Sequence, residues 1–293
     1  MSLPIATSNN VDAIITDLDG NLFAGIYGDG IFKSSDNGNS WTQMNTNLTA
    51  TYVLSLACNV SNEIFAGTFF GGGAFRSSDS GASWTEINTG LIGTEVRAIA
   101  VNPAGDIFAG TYGVGIFRSQ DYGNSWMKVN NGLPARYITC LAINANGDIF
   151  AGADFVNNEG GVFRSTDNGA TWVEVSNGVI TTDVRTLSIN SNGEIFAGTY
   201  IGGGVYKSSD NGNSWTQINN GLTCPYIWAF TINSNGDLFA GSFGCNTGVF
   251  RSTNDGASWT PANNGLTVPE MTALAVNSND DIFGGTYYGG GMF

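Results

Sequence analysis

The 293-residue chain has no histidine. That one absence removes imidazole proton shuttles, His metal ligands and Ser-His-Asp or Cys-His catalysis, so any chemistry must rest on carboxylates, Tyr, Arg or Lys. Charge is scarce, at 12% against a usual level of about 25%. It is also one-sided, with 10 Lys+Arg against 24 Asp+Glu and a net charge of -14. Nucleic-acid affinity comes largely from clustered Lys and Arg, so DNA, RNA and anionic membranes are not expected partners. No run approaches the roughly 20 apolar residues of a membrane span, and no segment carries an apolar stripe of helical period. Met1-Ser2-Leu3 has neither the basic start nor the apolar stretch of a secretory signal, as expected of a trimmed mature domain. Four cysteines are too few and too badly spaced for a zinc site. No metal and no cofactor is expected.

What is abundant is glycine, 42 residues or roughly twice the usual share, and it recurs in register. Trp41, Trp84, Trp126, Trp172, Trp215 and Trp259 each close an octet: SSDNGNSW, SSDSGASW, SQDYGNSW, STDNGATW, SSDNGNSW and STNDGASW. They lie 43, 42, 46, 43 and 44 residues apart. A second marker begins seven times: LFAG at 22, IFAG at 64, 107, 149 and 195, LFAG at 238 and IFGG at 282. Seven units of about 42 residues account for the whole length. Within a unit such as 96–131, short β-rich runs alternate with Gly/Asn/Asp turns, giving four strands, which is the arithmetic of a propeller blade.

These features predict an all-β fold, a single seven-bladed β-propeller of four-stranded antiparallel blades. The expected units are 11–48, 53–90, 96–132, 138–178, 184–221, 227–265 and 271–293 plus 2–7. The last unit has no octet and no fourth strand, so residues 2–7 are expected to complete it and close the ring.

The octet S-x-D-x-G-x-[ST]-W resembles the Asp-box, or BNR, repeat of sialidase-type propellers, which also occurs in xyloglucanase-like glycosidases, sortilin-like receptors and a photosystem II assembly factor. Five octets match fully, and in the sixth Asn254 takes the Asp position. Asp36, Asp79, Asp121, Asp167, Asp210 and Asn254 are expected to be structural. Each begins a tight turn where its side chain accepts backbone N–H groups, and one carboxylate per box is too few for Ca²⁺. Sialidase activity would require three convergent arginines. Arg76, Arg118, Arg164 and Arg251 occupy a repeated FRS position, which leaves only Arg97, Arg136 and Arg185, expected on distant blades, so that activity is not expected.

Positions shared by all units hold the fold, and positions that differ are free for binding. In a propeller the second-to-third and fourth-to-first connections open on one face, and here they are rich in rings: Tyr27, Phe70, Tyr112, Phe155, Tyr200, Tyr226 and Tyr288. Such rings offer an apolar face to a sugar or a peptide side chain, and the phenols add a polar edge. Five residues before the Asn or Asp that ends each first strand stand Asp12, Leu54, Arg97, Thr139, Arg185, Trp228 and Thr272, a row that breaks the repeat. Trp228, the one Trp outside an octet, is the expected stacking residue, with Arg97, Arg136 and Arg185 as polar anchors. Glu95 and Asp183 share a strand face with Arg97 and Arg185 respectively. The longest connection, 153–160, holds Asp154 and Glu159. Cys224 and Cys245 reach the same face of the sixth unit, so a disulfide and an oxidising compartment are expected. Cys58 and Cys140 lie in apolar strands as small hydrophobes.

The function expected is a non-catalytic, monomeric binding propeller, secreted, periplasmic or on the cell surface, that holds a glycan or peptide in an aromatic funnel. A carboxylate-based glycoside hydrolase, using two of Asp154, Glu159, Asp183 and Glu95, is one alternative. A sensor or assembly domain of a larger surface or two-component protein is another.

Overall fold

The first repeat shows how each unit folds. Val11–Thr16, Leu22–Ile26, Gly30–Ser34 and Thr42–Gln43 form one antiparallel sheet in chain order. The second strand is buried along its whole length, while the two-residue outer strand is exposed. A turn residue sets the first hairpin: Asp17 Oδ1 accepts the N–H groups of Asp19 (3.0 Å) and Asn21 (2.8 Å). Asn59, Asn144, Asn190 and Asn277 do the same in their own repeats. The computed structural model describes residues 10–93, 95–156, 159–179, 183–287 and 290–293.

The expectation of seven four-stranded blades is corrected. Among the described residues the propeller has six such blades. The seventh repeat, which carries no octet, contributes a two-stranded sheet, Met271–Val276 with Ile282–Thr286, extended by one bridge between Gly285 and Met292. Its first strand packs between Ile227–Ile232 of the sixth blade and Val11–Thr16 of the first. Residues 2–7, expected to complete this unit, lie outside the described residues.

The glycine of the FAG marker is where neighbouring repeats meet. A Cβ on Gly110 would stand 2.5 Å from Ile138 Cγ2 in the next blade, and one on Gly285 would stand 2.8 Å from Val11 Cβ. The junction between the last repeat and the first blade adds Thr272 Oγ1 to Val11 O (2.6 Å) and Asn277 Nδ2 to Asn37 Oδ1 (2.6 Å).

Each octet forms a closed hydrogen-bond unit. In the second blade Asp79 Oδ1 accepts the Ser83 N–H (2.9 Å) and the Ser77 hydroxyl (2.7 Å), and its Oδ2 accepts the Ser83 hydroxyl (2.6 Å). Ser77 Oγ in turn accepts the Gly81 N–H. Asn254 reproduces the pattern by donating from Nδ2 to Ser258 Oγ. The tryptophan then reaches the preceding blade. Its indole N–H donates to Met44, Ile87, Val129, Val175 and Ile218 carbonyls from Trp84, Trp126, Trp172, Trp215 and Trp259 respectively. Trp41, which faces the two-stranded unit, is only half-buried and bonds within its own turn, to Gly38 O.

Two expectations follow. Trp126→Ala should cost about 3–5 kcal/mol in denaturant unfolding, and Trp41→Ala clearly less, since less ring is buried and no bond to another blade is lost. The carboxyls of Asp36, Asp79, Asp121, Asp167 and Asp210 are held below the usual carboxylate range, chiefly by the Ser or Thr hydroxyl four residues on. A depressed native value stabilises the fold above the ordinary carboxylate range, and that contribution is lost as pH falls through the depressed values. Asp79→Asn, copying Asn254, should therefore make unfolding less sensitive to acid below about pH 4, as read by thermal scans across pH.

Candidate functional site

Every first strand pairs with its neighbour in the same broken register, with one residue skipped between the first and third positions. The skipped residues are Asp12, Leu54, Arg97, Thr139, Arg185, Trp228 and Thr272, the row that breaks the repeat. A bulge of this kind leaves its residue outside the ladder and re-aims its side chain. All seven line one central cavity of about 820 Å³, which Tyr27, Tyr200, Phe243 and Tyr287 also line.

Within the row, two hydroxyls serve the frame: Thr139 Oγ1 donates to Gly152 O (3.0 Å) and to Val184 O, and Thr272 Oγ1 donates to Val11 O. The chemistry falls to Asp12, Arg97, Arg185 and Trp228. Arg97 Nε bonds Glu95 Oε1 (2.5 Å) while its guanidinium lies 4.0 Å from the Tyr112 ring centroid. Tyr112 Oη donates to Asp154 Oδ2 (3.3 Å), which also accepts from Arg185 Nη2 (3.3 Å). Arg185 Nη2 bonds Asp183 Oδ2 (3.0 Å), and its Nε lies 2.7 Å from Asp183 Oδ1, an ion-pair contact misaligned for a hydrogen bond. A continuous chain of charge thus joins the third, fourth and fifth blades. Burial raises the Asp183 carboxyl, against the pull of Arg185. Burial also pushes Asp12 up to about 7, a shift the Arg97 charge only partly opposes.

Trp228 is less open than the sequence suggests. Arg185 lies 5.0 Å from its ring centroid, Tyr200 meets it edge-on at 5.2 Å and Phe243 lies at 4.8 Å. A ligand stacking there shares the ring with a guanidinium already present. The Cys224–Cys245 disulfide, Cα–Cα 6.0 Å, links the two loops of the same blade.

The other residues expected at the funnel lie elsewhere. Tyr112, Phe155, Tyr226, Arg136 and Phe70 do not line the cavity. Phe155, Tyr226 and Arg136 are exposed, and Glu159 is half-buried in the long connection. Tyr288 lies outside the described residues. Asp12 is the residue that sequence reasoning passed over. Its place in the irregular row was the available signal, but its burial was not visible. Among the described residues no cluster of three or more Cys, Asp or Glu is arranged to hold a metal ion.

Phe70 belongs to a separate recess of about 310 Å³, lined by 49–52, 69–72 and Glu86. It stands in a tight turn closed by Gly72 N to Phe69 O (3.4 Å), with φ of +50° at Phe70 and +93° at Gly71. Positive φ at both central positions is the type I′ pattern, which favours Asn-Gly. A phenylalanine there costs about 1–2 kcal/mol of backbone strain.

The raised carboxyl of Asp12 carries a stability signature of opposite sign to the octets. Its ionised form is disfavoured in the fold, so it destabilises above about pH 7, and the penalty fades as pH falls from there towards the ordinary carboxylate value. Asp12→Asn should raise Tm by a few °C at about pH 8 and leave it unchanged below about pH 4.

The fold is similar to several solved propellers. The chain aligns over 100% of its length, at 18% identity and a TM-score of 0.79, with the extracellular domain of BT4673 from B. thetaiotaomicron, described as a one-component system. It spans 39% of that chain. It aligns over 98% at 17% identity and a TM-score of 0.80 with the GH74 xyloglucanase from Xanthomonas campestris, covering 52% of that enzyme. With YCF48 bound to D1 peptide the figures are 99% of this chain, 93% of that one, 17% identity and a TM-score of 0.76. At such identities the likeness is one of fold. No curated protein matches the sequence. Among the described residues no helix is long and apolar enough to cross a membrane. The Asp-box likeness of the octets stays a resemblance of sequence, because the family that matches is a different one. Over residues 75–287 the sequence matches the DUF6242 beta propeller domain, and the chain belongs to that family.

Proposed function

We propose that this domain is a non-catalytic binding propeller that takes a glycan or peptide at the mouth of its central channel. The observation that carries the reading is the bulge row: one unpaired residue per first strand, of five different types over seven repeats, and all seven facing one cavity. A frame that repeats everywhere except where side chains converge is organised for recognition, since pockets combine an apolar lining with a few placed polar groups. Asp12, Arg97, Arg185 and Trp228 are those groups. The Cys224–Cys245 disulfide supports an oxidising, extracellular location. The likeness to the BT4673 extracellular domain supports service as the input domain of a larger surface protein.

A hydrolase is the second reading, and one observation favours it: Asp12, raised to about 7, suits a general acid. Against it, Glu95, Asp154 and Asp183 are each held by an arginine, so the lining offers Asp12 no unpaired carboxylate as a partner.

A glycan array and a peptide library, run beside a hydrolysis screen, separate the two. The binding reading expects saturable binding without turnover, weakened at least about ten-fold by Trp228→Ala. Turnover abolished by Asp12→Asn would establish the hydrolase instead.

A further inference from the structure

We propose a second binding site on the rim of the second blade, distinct from the channel, where Phe70, Phe69, Tyr52 and Glu86 receive an Arg or Lys side chain of a peptide partner. The first argument is the presentation of the ring. Phe70 is 70% exposed although it occupies a left-handed position that favours Asn or Gly. Loop length does not force this. The fifth blade has the same T-x-x-G-G-G connection, and there Ile201 avoids the left-handed region while Gly202 takes a φ of +72°. An unstrained course is open to this loop, and the second blade does not use it.

The second argument is the group assembled around the ring. Phe69 lies 3.9 Å from Phe70 between centroids, Tyr52 meets Phe70 edge-on at 5.2 Å, and Tyr27 packs behind Tyr52 at 4.7 Å. Glu86 borders the same recess, positioned by Asn88 Nδ2, which donates to Glu86 Oε1 (2.9 Å) and to Gly72 O (2.9 Å). Ring faces and one carboxylate attract a cation, and no basic residue lines the recess.

The third argument is charge complementarity over the whole surface. The chain carries -14 with only ten basic residues. Eight of them are committed to internal partners: Lys33, Arg76, Arg118, Arg164, Lys207 and Arg251 along the third strands, and Arg97 and Arg185 at the channel. A basic peptide therefore meets attraction across the approach as well as at the recess.

The test is an NMR titration of the folded domain with acetyl-(Gly-Arg)₃-amide, with the matched citrulline peptide and with neutral oligosaccharides. The site expects shifts centred on blade two with the Arg peptide, at least about five-fold weaker binding with citrulline, and salt-sensitive affinity. Phe70→Asn, which suits the turn, should equal or exceed the parent in Tm yet bind at least about five-fold more weakly. Glu86→Gln should weaken binding similarly, and Ile201→Asn should leave it unchanged. Binding indifferent to Phe70→Asn, equal binding of the citrulline peptide, oligosaccharide shifts in its place, or no shift at blade two with any probe overturns the proposal. A loss of binding at Phe70 accompanied by a fall in Tm would also overturn it, since the ring would then be packing rather than presented.

Discussion

Everything in this molecule depends on how closely one first strand can lean on the second strand of the repeat before it. The glycine of each FAG marker leaves room for the next repeat's leading aliphatic side chain, and at Gly110 or Gly285 a single Cβ would collide with it. That approach sets the spacing of the ring and pins the first strands around a common axis, so their bulged residues point into one cavity. Burial on both faces explains why the second strands carry no charge. A sheet packed between two neighbours has no wet side.

A second layer of contacts fixes the repeats on the opposite side. The fourth residue of each octet adopts a left-handed conformation, at Asn37, Ser80, Tyr122, Asn168, Asn211 and Asp255. Five of these receive the basic residue of the preceding blade: Lys33 on Ser80 O, Arg76 over the Tyr122 ring, Arg118 on Asn168 O, Arg164 on Asn211 O and Lys207 on Asp255. Asn37 meets Asn277 and Asp281 of the last repeat instead. The octet is thus a turn, a tryptophan anchor and a latch in eight residues, and the latch residue varies because a carbonyl, a ring or a carboxylate can each hold a cation.

The repeat was legible in the sequence because its causes are local: an Asp or Asn before a glycine, a Trp at a fixed distance, an apolar run before each turn. The strand count of the last repeat was not, since dividing a length by a period says nothing about which strands pair. The irregular row was visible as a departure from pattern, but the bulge that gives it meaning is a matter of register between strands and leaves no mark in composition. Phe70 was grouped with the funnel because it follows the same connection as Tyr27 and Tyr200. Only the turn geometry carries it outward to its own recess. Asp12 looked unremarkable because the burial that lifts its carboxyl comes from residues distant in sequence.

The bulge also separates two kinds of variation. A bulged residue takes no part in its ladder, so in principle it can be exchanged with little effect on the sheet, whereas the residues on either side are held by pairing and by the next repeat. Asp12 and Leu54 can accordingly change without renegotiating the architecture. Thr139 and Thr272, whose hydroxyls tie down neighbouring carbonyls, are less free, as are Arg97, Arg185 and Trp228, which hold Glu95, the buried Asp183 and the Tyr200 ring respectively. For a lineage of such domains, the lining of the channel can thus vary one residue at a time at the unpartnered bulges, without any intermediate having to survive a weakened fold.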